Sequence, residues 1–273
     1  MMSSVRFIGI LAVLSLFGCA TGANDPLFLP RAHSHNDYMR MHPLFDALEA
    51  GFCSVEADIY LVEGELLVAH DRDKVKPGGT LQKMYLEPLR ERAKKNGGRI
   101  YPNGPSVSLL IDFKESPDIL WPKLREVLNQ YEDILTVFTN DTVEERAVTV
   151  ILSGDSPRAQ LAREPRRLAG IDGRLPDLAN PPSPKLVPWV SDCWYPLFKW
   201  TGQGPMPGAE REKLKEYIAK AHANGQKIRF WGTAQRPEVW EEFYTLGMDL
   251  LNADNPARLR EFMIEKMKQE KAR

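Results

Sequence analysis

The sequence predicts an α/β fold, a single TIM-type (β/α)8 barrel over residues 29–273. Three observations predict it. Short apolar or β-branched runs alternate with amphipathic helical patterns, which implies a parallel sheet. About eight such runs occur. The chain has 273 residues, and one barrel typically takes about 250. In order, the strand-like runs are 29–33, 54–61, 65–70, 107–114, 134–139, 147–153, 185–191, 227–231 and 248–253. Among the helical patterns, 43–50 places Leu44, Ala47 and Leu48 on one face, and 117–131 aligns Ile119, Leu120, Leu124, Val127 and Leu128. The pattern 210–224 carries Leu214, Tyr217, Ile218 and Ala221 and stops at Gly225; 237–246 opens on Pro237 and ends at Gly247. Two stretches are irregular. Residues 154–191 hold Pro176, Pro181, Pro182, Pro184 and Pro188 and read as a long loop near the active face, and 76–105 reads as an excursion rich in Gly, Lys and Pro.

Hydrophobic residues make up 43% of the chain, enough for one sizeable core. The 36 Lys and Arg against 37 Asp and Glu leave a net charge of −1. With no long basic run, nothing electrostatic points to nucleic acid. The mixed-sign stretch 265–273 reads as a solvated helix end, and no repeat or feature pointing to a protein partner is visible.

The N-terminus reads as a targeting segment. Arg6 precedes an uncharged apolar run, 7–17, too short to span a bilayer but of the length of a signal-peptide core. It ends in Leu16-Phe17-Gly18-Cys19, which resembles a bacterial lipobox. That resemblance implies a signal peptide at 1–18, a lipidated tether at 19–28 and a membrane anchor on Cys19. The protein is then expected to be an exported lipoprotein of the bacterial cell envelope, with an ordinary secretory signal as the alternative. Cys53 and Cys193 make no disulfide framework and lack zinc-ligand spacing, so two buried thiols are the plainer reading.

Four places put polar groups where a barrel strand should be apolar. His33 closes the first strand within Ala32-His33-Ser34-His35-Asn36-Asp37-Tyr38. Glu56 and Asp58 stand two apart on a strand and so share a face, as do Asp112 and Lys114; His70-Asp71 ends the run at 65–70. Charges in a barrel interior are normally paired or bound to an ion, and the C-terminal ends of barrel strands line the active site. Glu56, Asp58 and Asp112 supply three hard oxygen ligands, a set that suits Mg²⁺ or Ca²⁺ better than zinc. Lys114 suits an anionic substrate, and two histidines at the same mouth can supply a base and an acid.

The ordered set His33, Glu56-x-Asp58, His70-Asp71, Asp112-x-Lys114 and Asn252-Ala253-Asp254-Asn255-Pro256 resembles the glycerophosphodiester phosphodiesterase and phosphatidylinositol-specific phospholipase C superfamily. Residues 32–38, 56–58 and 109–114 look most like its branch related to the altered-inheritance-of-mitochondria proteins. The match runs from about Leu29 to Met263, with Phe230-Trp231 in support. The resemblance implies a metal-dependent enzyme that cleaves a P–O bond of a glycerophosphodiester or phospholipid headgroup, by hydrolysis or by forming a cyclic phosphate. It makes His33 and His70 the acid and base, Lys114 the phosphate-neutralising group, and Glu56, Asp58 and Asp112 the metal ligands. His35, Asn36, Asp71, Trp231 and Asn252 are then supporting or substrate-contacting residues. Two departures stand out. The start is His33-Ser34-His35-Asn36 instead of His-Arg-Gly, closer to the phospholipase C and spider sphingomyelinase D side. The third carboxylate is Asp112 where the family often has Glu.

Trp189, Trp194, Tyr195, Phe198 and Trp200 follow a predicted strand among Pro and Gly. They read either as an aromatic loop at the mouth, able to hold a headgroup, or as packing under a long loop. His42 and His222 carry no assigned role. A zinc-dependent amidohydrolase or histidinol-phosphatase-type barrel also begins with His-x-His, but it needs further histidines from later strands. After His70 the chain has only His222, in a helical pattern. A non-catalytic lipoprotein barrel should lack a matched position, and every one is filled.

Overall fold

The computed structural model describes residues 27–272. Residues 1–26, with the expected signal sequence and Cys19, lie outside the described residues. The strands are β1 (Leu29–Ser34), β2 (Phe52–Val62), β3 (Glu65–Val68), β4 (Val107–Phe113), β5 (Val137–Thr139), β6 (Val143–Glu144), β7 (Val148–Gly154), β8 (Arg166–Arg167), β9 (Ala169–Gly173), β10 (Trp189–Cys193), β11 (Lys227–Trp231) and β12 (Leu251–Ala253). Eight of them run parallel in the order β11-β10-β9-β7-β4-β2-β1-β12. A parallel bridge between Arg229 and Leu250 draws the two ends together. The result is the nearly closed eight-stranded barrel that the alternation predicts.

Outside the barrel, β3 folds back antiparallel on β2 through Glu63-Gly64, both at positive φ, the geometry of a tight hairpin turn. Strands β5, β6 and β8 form a small sheet of their own. The helices are α1 (Phe45–Glu49), α2 (Glu87–Lys95), α3 (Pro117–Asn129), α4 (Arg158–Leu161), α5 (Trp194–Leu197), α6 (Gly208–Ala223), α7 (Pro237–Leu246) and α8 (Pro256–Lys271). Helices α3 and α8 start with a proline in the first turn behind a capping side chain, Ser116 and Asn255, which accept the backbone N–H of Asp118 and Arg258.

Side-chain alternation sorts each strand into an outer face and an inner face. The outer face builds the main core against the helices, with Val55, Ala57, Ile59, Leu109, Ile111, Val150, Leu152, Ile228 and Phe230 buried there. The inner face is apolar only at its base, where Leu110, Ile151, Trp189 and Leu250 form a separate buried plug. Two residues further along these strands stand Asp112, Ser153, Ser191 and Asn252. The upper barrel interior is therefore polar, and that is where the site lies.

Strand membership differs from expectation in three places. The runs at 65–70 and 134–139 were expected in the barrel; the first is the β3 hairpin arm and the second contributes only Val137–Thr139, to the side sheet. The missing barrel strand is β9, inside the stretch 154–191 expected to be loop. Its sequence Ala-Gly-Ile-Asp-Gly hides the strand signal because Asp172 faces the polar interior and Gly170 lies against Pro188, where a Cβ would come within 2.7 Å of the proline ring. The excursion 76–105 contains α2, which buries Leu89 and Ala93.

The aromatic cluster packs in the core. Trp194 stacks on Phe198 at 4.1 Å between ring centroids and meets Phe230 edge-on, both Trp194 and Phe198 being buried. Trp189 belongs to the interior plug, and Trp200 is buried as well. Of the five, only Tyr195 is exposed. The loop-packing reading holds, and the headgroup-binding reading does not. Cys53 and Cys193 are both free thiols, Cys53 buried and Cys193 half-buried.

Candidate active site

Strands β1, β2 and β4 carry the polar residues into one place by register. Asp58 pairs with Asp112 across β2 and β4, and His33 pairs with Ser54 across β1 and β2. One carboxylate oxygen from each of Glu56, Asp58 and Asp112 can be chosen so that all three lie within 4.8 Å of one another. Lys114 Nζ reaches into this group, 2.9 Å from Asp58 Oδ2 and 2.5 Å from Asp112 Oδ2. Tyr38 donates its hydroxyl proton to Asp58 Oδ2 or to Asn36 Oδ1, each 2.7 Å away.

Burial, and then the Glu56 carboxylate, push Asp58 up to about 7, although Lys114 opposes the shift. Burial raises Asp112 too, again against Lys114. Burial would also raise Glu56, but the contact with His33 and the charges of Arg229 and His35 outweigh it and hold this carboxyl low. Lys114 is held above its ordinary value because the two aspartates outweigh its own burial. Asp58 Oδ1 is buried with no hydrogen-bond partner. Three crowded hard oxygen donors with an orphaned buried oxygen fit a divalent cation such as Mg²⁺ or Ca²⁺. Among the described residues no histidine or thiol joins the set, which fits zinc poorly.

The histidines fall into two layers. His33 is fully buried. Its Nε2 lies 2.7 Å from Arg229 Nη1 and 3.3 Å from Glu56 Oε2, and its Nδ1 lies 2.7 Å from Ser54 Oγ. Burial, and then Arg229, lower His33 to about 4, so the ring stays neutral. His35 and His70 instead line an open pocket of about 420 Å³ together with Asn36, Glu56, Asp112, Lys114, Arg174, Arg229 and Trp231. Each has its Nδ1 against a carboxylate: His35 on Asp254 at 2.9 Å, His70 on Asp71 at 3.0 Å. His35 Nε2 lies 4.0 Å from Glu56 Oε2. Burial would lower His35, but the hydrogen bond with Asp254 and the charge of Glu56 raise it overall.

Of the expected site residues, Glu56, His70, Asp112, Lys114, His35, Asn36 and Trp231 share this pocket, and Asp58 lies directly behind it. His33 and Asn252 sit one layer deeper, where Asn252 donates to the Phe230 carbonyl at 3.0 Å. Asp71 is exposed and serves as the partner of His70. The sequence reading missed Arg174, Ser153 and Arg229. Arg229 is charged within an apolar strand, two residues before Trp231, which is the same signal that marked Glu56 and Asp112. Arg174 and Ser153 border the strand that went unseen.

Residues 27–168 match the AIM6-like phosphodiesterase domain. The chain belongs to this family. Altered inheritance of mitochondria protein 6 of Saccharomyces cerevisiae is 32% identical over 270 residues, which span 82% of this chain and 68% of the yeast protein. The homologue in Arthroderma benhamiae is 29% identical over 257 residues, 82% of this chain and 80% of that protein. Among solved structures, a glycerophosphodiester phosphodiesterase from Parabacteroides distasonis shares the fold at a TM-score of 0.54 and 14% identity, covering 87% of this chain and 98% of that one. A glycerophosphodiester phosphodiesterase from Agrobacterium tumefaciens does so at 0.50 and 17%, covering 86% and 99%. The family match bears out the altered-inheritance-of-mitochondria branch read from residues 32–38, 56–58 and 109–114, and the solved structures share its barrel fold.

They correct the expected location. The AIM6 relatives are fungal, eukaryotic proteins and not bacterial envelope lipoproteins. The bacterial-envelope placement rested on Arg6, the apolar run 7–17 and Leu16-Phe17-Gly18-Cys19, and the whole-domain relationship overrides it.

Proposed function

We propose that this AIM6-like domain is a metal-dependent phosphodiesterase that cleaves a P–O bond of a small phosphodiester, of the glycerophosphodiester or phospholipid-headgroup class. The observation that carries this reading is the convergence of Glu56, Asp58 and Asp112 within 4.8 Å beneath a pocket that also presents Lys114 and two histidines. Mg²⁺ or Ca²⁺ held by the three carboxylates would supply Lewis-acid stabilisation of charge on the phosphoryl oxygens.

The chain's own groups supply the rest. Lys114, whose Nζ sits beside Asp58 and Asp112, would place an ammonium next to a phosphate held at these carboxylates. His35 and His70 hold the protons. Each keeps Nδ1 on its carboxylate partner, which orients the ring and leaves Nε2 for a substrate oxygen. One takes the proton of the attacking water or substrate hydroxyl, and the other gives one to the leaving alkoxide. The resemblance assigns one of these roles to His33. We give it to His35 instead, because His33 is fully buried and its two ring nitrogens are taken by Ser54 and by Arg229 and Glu56. His33 positions Arg229, which lies 3.6 Å from Glu56 Oε2.

Phosphorus NMR of the protein with glycerophosphodiesters and phospholipid headgroup diesters, with Mg²⁺ or Ca²⁺, tests this. A new monoester or cyclic-phosphate signal, lost with chelator and in Asp58→Asn, is expected. Silence across the panel from folded protein with both metals would overturn it.

A further inference from the structure

The pocket holds more positive charge than cleavage of one phosphodiester requires. Lys114 serves the phosphate beside the carboxylates, and Arg229 is committed to His33 and Glu56 on the floor. Arg174 is paired with Asp172 through Nη1 alone. It follows β9, and its guanidinium is fixed at one end: Nη1 donates to Gly173 O at 2.9 Å, Asp172 O at 3.1 Å and Asp172 Oδ2 at 3.2 Å. The other end is open. Nη2 has only Ser153 Oγ, at 3.4 Å, and Ser153 lines the same pocket.

The Asp172 carboxylate is the ion-pair partner of Nη1 and takes no bond from Nη2. It is buried and already accepts from Ser191 Oγ at 2.6 Å and Ser153 Oγ at 2.8 Å. Trp231 lies under the guanidinium, with Arg174 Cζ 5.1 Å from the ring centroid. An arginine anchored through one nitrogen, backed by an indole and open through the other is preorganised for a planar or tetrahedral anion.

Its position fixes what that anion belongs to. Ser153 pairs with Asp112 across β4 and β7, and β9 is the next strand on. Arg174 therefore stands two strands from Asp112, roughly 10 Å at the ordinary strand spacing. That gap accommodates a phosphate at the carboxylates and a short leaving group reaching toward β9.

We propose that Arg174 and Trp231 form a second anion subsite, which selects phosphodiesters whose leaving group carries a further carboxylate or phosphate. The proposal rests on the phosphodiesterase reading and narrows its substrate.

Three diesters separate the possibilities: glycerophosphoethanolamine, glycerophosphoserine, which adds one carboxylate, and glycerophosphoglycerol phosphate, which adds one phosphate. The wild-type protein is expected to prefer at least one added-anion diester over the ethanolamine diester by about tenfold or more in kcat/KM. Preference for the serine diester assigns a carboxylate, and preference for the glycerol phosphate diester assigns a phosphate. Arg174→Gln should bring the ratio toward one, and Arg174→Lys should restore part of it. A wild-type ratio near one, or a ratio unchanged in Arg174→Gln, would overturn the subsite.

Calorimetric binding of phosphoserine, glycerol bisphosphate and phosphoethanolamine, in the presence of Mg²⁺, separates this from failure of the enzyme reading. If no diester is cleaved but an added-anion monoester binds more tightly than phosphoethanolamine, and Arg174→Gln removes the difference, the subsite stands without the activity. Equal binding of all three overturns it.

Discussion

Gly154 leaves room for the Asp112 carboxylate. It ends β7 at φ +67, and a Cβ there would overlap Asp112 Oδ1 and the backbone of Phe113. Gly154→Ala therefore carries two penalties, the left-handed backbone of a non-glycine residue and displacement of a proposed metal ligand. The first costs on the order of 1–3 kcal/mol. Urea denaturation should show that loss, and the stabilisation by added Mg²⁺ or Ca²⁺ should shrink with it. A variant that keeps the full metal-induced shift would show that Asp112 is not held in place by this contact.

Asp58 and Asp112 share Lys114, and that arrangement predicts how the protein answers to metal. A cation bound only by the folded state stabilises it by about 2.7 kcal/mol at a hundredfold excess over its dissociation constant. For a domain of this size that corresponds to a rise in melting temperature of roughly 5–10 °C. Chelator should reverse the rise, and Asp58→Asn should abolish it. Because burial and Glu56 disfavour the Asp58 charge, the metal-free Asp58→Asn protein should be no less stable than the metal-free parent. A melting temperature indifferent to both cations would count against the three-carboxylate site.

The layering of the histidines predicts two kinds of variant. His35→Ala and His70→Ala should each lower kcat by about 10²–10⁴, the usual worth of a positioned acid or base, with the fold intact. His33→Ala should act on stability first. It strips the Arg229 guanidinium and Ser54 hydroxyl of a buried partner, which costs about 1–3 kcal/mol for each group left unsatisfied. Kinetics alongside thermal melts decides the matter. Full stability with complete loss of turnover in His33→Ala would return the acid or base role to His33.

Much of this was legible in the sequence because the barrel obeys two simple periods. Glu56 with Asp58 and Asp112 with Lys114 were visible as i, i+2 charges in apolar runs, and strand alternation alone puts each pair on one face. What stayed hidden depends on tertiary contacts. Strand β9 has a polar residue facing inward and two glycines, so no hydrophobic run marks it, and Arg174 went unseen with it. The burial of His33 against Arg229 was hidden as well. It depends on Arg229 reaching across the barrel interior from a strand nearly two hundred residues later. The aromatic cluster at 189–200 was legible as composition but not as place, since burial of Trp194 and Phe198 depends on helices that follow them.

Asp177 predicts a pH dependence away from the metal site. Its carboxylate accepts two bonds from the Arg158 guanidinium, at 2.7 and 2.9 Å, and the Arg174 backbone N–H at 2.9 Å. Burial would raise it, but these bonds outweigh burial and hold it below its ordinary value of 3.8. A carboxyl with a lowered folded-state value binds its proton more readily when unfolded. Its contribution is therefore complete above pH 3.8 and is lost as pH falls through the lower folded value. The Arg158 side chain is 40% exposed, so screening limits the pair to about 1 kcal/mol. Asp177→Asn should be less stable than the parent by about that amount at pH 7, measured by urea midpoint. The two proteins should converge as pH falls through the lowered folded-state value, where the parent carboxylate also becomes neutral. A gap that stays constant down the acid limb would mean that Asp177 acts through shape and packing beside Arg174, not through its charge.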